Sequence, residues 1–469
     1  MKIKRVIFVL FMMLIMTVSV SADAIVTSSL PANEPWTIEV LHSEANAIKG
    51  QYVSIAHHPH TGNAYVSYYD ASTTNLVYAY EVPAGTGTCP GNSDWDCSYV
   101  DGLSNNGQYS SIDVDWVVPA APEAPYTKIG ISYYDSEQKS LKYAEFNTNH
   151  PGWTRYEIDD STTGNSVRGT YSSLKFTSDH QPIIAYHYIS DLPLADWGGV
   201  KLAIFNSDGL GTGCNGENDS YWDCEYVSSM EDHTDYGSHV SLDLTADDTT
   251  HIAFYDSFNS ELVWATYWGS GGSCNYDKWN CVTVDGAGDV GQFVSIHAPK
   301  SSTDKLRFAY FDNTTSLGKV KYAVRVPSGG NCTSSVFNCF DVDEIGDPLG
   351  PIGISITVDS LGYPIIAYMD ASPSTSATKL RVARPALAYG NTYGNCGEVP
   401  PGDAFLYWQC ELLDPGYQNI VHEAAFADVS ISPGGLAGIA YYEYDSVNDE
   451  GRLKVTQQHY MIYLPLILK

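Results

Sequence analysis

Five aspartates stand at matching places along the chain, each closing a run of small, β-branched and aromatic residues: Asp70 in YVSYYD, Asp135 in GISYYD, Asp256 in HIAFYD, Asp312 in RFAYFD and Asp370 in IIAYMD. Glu443 ends the matching run GIAYYE, and Tyr188 takes the acidic place in IIAYHY. A ring of such carboxylates would suit a cation, with calcium the natural cofactor, or the hydroxyls of a sugar. The same residue also solves a local problem. An aspartate ahead of a turn accepts hydrogen bonds from the turn backbone, and nearby tyrosine hydroxyls need acceptors. Recurrence in almost every unit favours this scaffold role over chemistry.

Chemistry on a near-repeating chain is better sought where the repeat breaks. The segment YHYISDLPLADWGGVKLA (186 to 203) lacks the acid and carries a longer connection, bringing His187, Tyr188, Asp191, Asp196 and Trp197 close in sequence. An indole face stacks on the apolar side of a sugar ring while carboxylates take its hydroxyls. Downstream, Glu231, Asp232, His233 and Asp235 offer ligands for Ca²⁺ or a transition metal, without the twelve-residue calcium-loop pattern. His57, His58 and His60 cluster too, but neighbours on a strand or tight turn point apart.

The elements that must position these residues are strands. The serine of Y-x-S-[IL]-like segments recurs at Ser54, Ser111, Ser173, Ser241, Ser295, Ser355 and Ser430, marking seven units. Each unit has that serine strand, a second ending like IAYYD, a third like LKYA and a fourth like W-x-C-x-x-V-D, with no helical periodicity. Four short strands repeated seven times predict an all-β, seven-bladed propeller of antiparallel blades. Unit seven lacks a fourth strand, and PWTIEVLHS (35 to 43) precedes the first unit, so the N-terminal segment is expected to close the ring on RLKVTQQ (452 to 458). A solenoid would not need this complementary split.

In that connectivity the loops between strands two and three share a face with the blade-to-blade loops. The first-to-second and third-to-fourth loops share the other. The YYD aspartates therefore rim one face and the cysteines decorate the opposite one. Ten cysteines fall in five close pairs, Cys89 with Cys97, Cys214 with Cys224, Cys274 with Cys281, Cys332 with Cys339 and Cys396 with Cys410, each bracketing a short polar stretch. None has C-x-x-C spacing, so disulfides rather than zinc are expected.

Residues 1 to 24 combine Lys2, Lys4 and Arg5 with an apolar run to Val20 and an A-x-A site, the pattern of a secretory signal peptide. The predicted organisation is a signal peptide over 1–24, the propeller over 35–458 and an apolar tail over 459–469, in a secreted or cell-surface protein with no membrane span after cleavage. A net charge of −31 argues against nucleic acid and anionic lipid as partners.

The stretch TVDSLGYPIIAYMD (357 to 370), with its turn-then-strand cadence, resembles units of bacterial secreted propellers of the broad sialidase-like group. The Asp-box S-x-D-x-G-x-T-W is absent as such. A hydrolase of that group would need converging arginines, a tyrosine nucleophile and an acid, and Arg307, Arg325, Arg381 and Arg384, in the strands of units five and six, are the arginines that could form such a cluster. The leading expectation is a binding propeller for a glycan or surface polymer, without catalysis. A sialidase-like hydrolase or polysaccharide lyase and a protein-binding scaffold or adhesion module are the alternatives.

Overall fold

The computed structural model describes residues 34–102, 105–160, 166–192, 195–346, 353–370, 378–398, 406–416, 426–445 and 447–459. The predicted signal peptide and residues 460–469 of the tail lie outside them. Seven four-stranded antiparallel sheets form a ring, with blades I to VI over 49–99, 106–159, 167–231, 238–285, 290–346 and 354–414. Blade VII joins strands within 427–458 to the N-terminal strand Trp36–His42, which pairs antiparallel with Glu450–Gln458. The expected closure is therefore present, and it leaves the ring without an open seam.

The inner strands begin in an unusual way. Gly50, Gly107, Gly169 and Gly291 have φ between 100° and 109°, and a Cβ there would lie 2.7 to 3.0 Å from the backbone of a leucine in the preceding blade. Glycine is needed where two backbones approach this closely. Two residues later Tyr52, Tyr109, Tyr171, His239 and Phe293 adopt φ of 51° to 55°, at positions where the pairing register shifts. Each such bulky residue costs about 1–3 kcal/mol of backbone strain. Together with Phe426 these rings form an arc, neighbouring centroids lying 4.3 to 4.7 Å apart. Their tilted, edge-on contacts offset part of the strain.

One further step along each strand lies a serine annulus. Ser54, Ser111, Ser173, Ser241, Ser295 and Ser355 each accept a hydrogen bond from the backbone N–H of the next inner strand, at Ile112, Leu174, Leu242, Ile296, Ile356 and Val429. In blade VII the expected Ser430 is not the equivalent residue. Asp428 is: it faces Ala440 as Ser241 faces Ala253. Its carboxylate accepts from Ser54 Oγ, Ile55 N, Ser355 Oγ and Val429 N, fastening the last blade to both neighbours.

Apolar clusters lie between blades rather than within them, as where Ile183, Val200 and Leu202 of blade III meet Leu242, Ile252 and Phe254 of blade IV. Trp95, Trp222, Trp279 and Trp408, which open outer strands, are fully buried. The five predicted disulfides are present, with Cα separations of 4.8 to 5.9 Å.

Candidate functional site

The residue two beyond each annular serine points the same way along its strand. This tier does not repeat: it reads Ala56, Asp113, Lys175, Asp243, His297, Thr357 and Ser430. With the serines it lines a central cavity of about 590 Å³. The cavity ends at turns such as Thr177–Ser178 and Ala246–Asp248, which join first to second strands, so it lies toward the disulfide face. None of the aromatic arc lines it.

The carboxylates in this cavity are all engaged. Asp113 accepts from Val114 N at 3.1 Å and Phe176 N at 2.8 Å. Asp243 takes Leu244 N, Ala298 N and Lys300 Nζ. Burial pushes the Asp113 pKa up. For Asp243 burial acts in the same direction, but the Lys300, Lys175 and His297 charges outweigh it and bring the value down.

The donors are in the opposite condition. Lys175 makes no hydrogen bond or ion pair with the described residues, while Asp113, Asp243 and Asp428 act on it at longer range. Burial disfavours its charge, yet those three carboxylates prevail and hold its pKa above the ordinary lysine value. The hydroxyls of Ser111, Ser173, Ser241 and Ser295 accept from the neighbouring backbone and donate to no other protein atom among the described residues. The cavity thus presents an ammonium and four hydroxyl protons to whatever enters, with acceptor lone pairs of the carboxylates behind them. His57 also lines it, and burial lowers its pKa to about 4.

The rim aspartates are differently placed. Asp135, 3% exposed, accepts from Glu137 N, Gln138 N and Lys142 Nζ, the last at 2.6 Å. Asp70 is bound by Lys49 and by its turn, Asp256 by Phe258 N and Asn259, and Asp312 by Thr314 N. Asp370 pairs with Arg381 at 3.1 Å and Glu443 with Lys454 at 2.7 Å. Each of these contacts lies within its own blade, so every rim carboxylate is held by its own turn or the adjacent strand.

In blade III the long connection is an extension of the sheet. Strands Pro182–Leu192 and Ala195–Phe205 pair out to Leu192 and Ala195, and Trp197 lies opposite both Ser190 and Glu231. His187 is buried, bonded to Thr170 Oγ1 and the Thr234 carbonyl, and burial lowers its pKa to about 4. Tyr188 is buried against the Arg168 guanidinium. Asp196 is exposed and Trp197 half-buried, while the Asp191 side chain lies outside the described residues. Strand alternation thus separates the group, leaving Asp196 and Trp197 at the surface.

No group of three or more His, Cys, Asp or Glu suited to a metal occurs among the described residues. Glu231, Asp232, His233 and Asp235 are not brought together: Glu231 ends an outer strand, Asp232 has φ of 59°, and His233 lies edge-on to Phe258. His58 caps its own turn and His60 stacks on Trp116. The four arginines are dispersed as well. Arg307 pairs with Asp304, Arg325 lies over Trp264, Arg381 pairs with Asp343, and Arg384 bonds Gln458.

No family model matches the chain, and no curated protein matches it. Among solved structures it is similar to a protein of unknown function from Dyadobacter fermentans, with TM-score 0.42 and 10% identity over 90% of this chain and 97% of that one. It is also similar to AofleA from Arthrobotrys oligospora, at TM-score 0.40 and 10% identity over 90% and 86% of the two chains. An α-L-arabinofuranosidase from Fusarium graminearum scores 0.38 at 10% identity over 90% and 99%. At these values the likeness concerns the architecture and transfers no residue roles.

Proposed function

We propose that the protein is an exported binding propeller that takes a carbohydrate in its central cavity without catalysing a reaction. The observation that carries this reading is the division of labour inside the cavity. Every carboxylate there holds backbone or cation partners, whereas Lys175 and four serine hydroxyls have donors with no protein acceptor among the described residues. Sugar hydroxyls accept from such donors and donate to the remaining carboxylate lone pairs. A volume of about 590 Å³ is of the size that encloses one or two sugar rings. Acid–base hydrolysis would need two carboxyl groups free to exchange protons, and these are held. Five disulfides support export, and no helix among the described residues is long and apolar enough to cross a membrane.

A glycan array of the disulfide-bonded protein tests the reading, with Lys175→Thr as partner because Thr357 fills the same tier in blade VI. Binding should weaken at least tenfold in the variant and persist in chelator. Retention in Lys175→Thr with loss in Trp197→Ala would move the site to the extended hairpin of blade III, the second reading, favoured by its half-buried indole. Silence toward all glycans would leave the protein-binding alternative.

A further inference from the structure

A second cavity, of about 640 Å³, lies in the crevice between blades V and VI. It shares His297, Lys300 and Val358 with the central one, so the two adjoin on the disulfide face. One wall is aromatic. The Phe340 and Tyr407 rings lie 14° from parallel with centroids 6.0 Å apart, and Tyr407 is 38% exposed. Such a flat, partly open pair suits the apolar face of a sugar ring.

The other wall is cationic, which is unusual here. The whole chain has 24 lysines and arginines against 55 acidic residues, yet Lys300, Lys305 and Arg307 fall within eight positions at this crevice. The acid among them is already neutralised: Asp304 accepts from His297 Nε2 at 2.8 Å, Lys300 N at 3.0 Å, Lys305 N at 2.8 Å and the Arg307 guanidinium. Arg307 is then fixed across the crevice by the Gly362 carbonyl at 3.0 Å, its buried Nε without a partner. Lys300 pairs with Asp243 and so belongs to the central cavity. Across the crevice Asp359 caps its own turn through Leu361 N and Tyr363 N and lies 3.8 Å from Arg384. Lys305 is exposed, and its ammonium has no hydrogen-bond or ion-pair partner among the described residues.

Resting on the carbohydrate reading above, we infer that this crevice is an extension of the central site that selects a glycan bearing one acidic sugar, whose carboxylate meets Lys305 while a ring stacks on Tyr407. A single carboxylate fits the surroundings better than a polyanion. The local cation acts within about 10 Å at 0.1 M salt, whereas a long polyanion would also meet the field of a chain carrying net charge −31. The two adjoining cavities are assigned to one chain of several sugars, with its neutral part in the centre and the acidic unit outward.

The test is an array of oligosaccharides, each with one uronate and printed beside its carboxyl-reduced counterpart, probed with the full disulfide-bonded protein. The expected result is at least one pair in which the acid form binds tenfold or more tightly than the reduced form. Lys305→Gln should bring that ratio close to one while leaving affinity for the reduced form unchanged, and Tyr407→Ala should weaken both forms. Equal binding of acid and reduced forms, or a ratio untouched by Lys305→Gln, overturns the acidic-sugar assignment and leaves carbohydrate binding standing. Absence of binding to every glycan, neutral ones included, overturns both.

Discussion

At the seam between blades IV and V, Tyr310 donates to Asp285 at 2.7 Å and Lys321 pairs with the same carboxylate at 2.7 Å. At the seam between blades III and IV the three corresponding positions hold Phe254, Ser228 and Val263, all buried, with the serine hydroxyl turned to Tyr236 and Asn275. The polar trio recurs as Tyr186, Asp159 and Lys201, as Tyr368, Asp343 and Arg381, and as Tyr441, Asp414 and Lys454. The acid and the cation are kept or lost together: at the seam between blades VII and I, where His42 takes the acid's place and bonds Tyr68, Val77 takes the cation's. Removing one partner leaves a buried charge or donor unmatched, whereas exchanging the set for apolar residues is close to neutral. The charges of the seams are therefore scaffold. The tier containing Lys175 behaves differently: it changes residue by residue, and Lys175 itself has no direct charge partner among the described residues, which is what a site requires and a seam does not tolerate.

The comparison is broken most severely by changing one member of a trio. Asp285 is 1% exposed, and Lys321→Val would leave its charge with only Tyr310 and the Ala287 N–H. We expect a loss of about 3 kcal/mol in denaturant unfolding. The triple variant Asp285→Ser, Tyr310→Phe, Lys321→Val copies the chemistry of the III–IV seam and should return to within about 1 kcal/mol of the parent. A triple variant as unstable as the single one would show that the exchange depends on further residues of its own seam.

Ring closure gives the next effect. Asp428→Ala removes an acceptor from Ser54, Ile55 and Ser355, and costs about 2 kcal/mol with water entering from the cavity. Asp428→Ser, the residue that six other blades use, should cost about half as much, because one hydroxyl can still accept from Ile55 but cannot reach both neighbours. Equal losses in the two variants would show that the retained Ile55 bond contributes nothing, and an Asp428→Ser variant as stable as the parent would show that the bridging between blades I and VI contributes nothing.

The architecture was legible because its signals are repeated. Small inner-strand residues, the aromatic runs, paired cysteines and a missing outer strand balanced by an N-terminal one all point to a single closed ring. The register of blade VII was not. ADVSI offers a serine two residues from the true position, and in a strand with a side-chain period of two such a slip keeps every residue on its expected face. The cavity was hidden for a related reason. Lys175 stands in SSLKF, where nothing local separates a channel lysine from a solvated one; its setting is made by Asp113, Asp243 and Asp428 from three other blades. The crevice likewise joins the turn around Lys305 to Tyr407, about a hundred positions away in the chain.

The smallest effect at neutral pH concerns His239, which occupies in blade IV the arc position held by Phe293 in blade V, the two rings lying 4.3 Å apart. Burial, and secondarily the nearby His187, lowers the His239 pKa to about 3. An unfolded histidine titrates near 6.5. Between those values the unfolded chain binds a proton that the native ring refuses, so this residue's contribution to stability falls as pH drops through that window, by up to about 1.4 kcal/mol per pH unit. His57, His187 and His251, each lowered to about 4 by burial, add the same sign. His239→Phe keeps a ring in the arc and removes one of these protonations. Unfolding free energies should then agree with the parent to within about 1 kcal/mol at pH 7.5 and diverge toward pH 4.5, the variant falling less steeply. Parallel curves would mean that the native state can protonate His239, and hence that solvent reaches the aromatic arc. In that case the arc would be an open mouth of the channel, and the division drawn here between a repeated scaffold and a varied site would have to place it with the site.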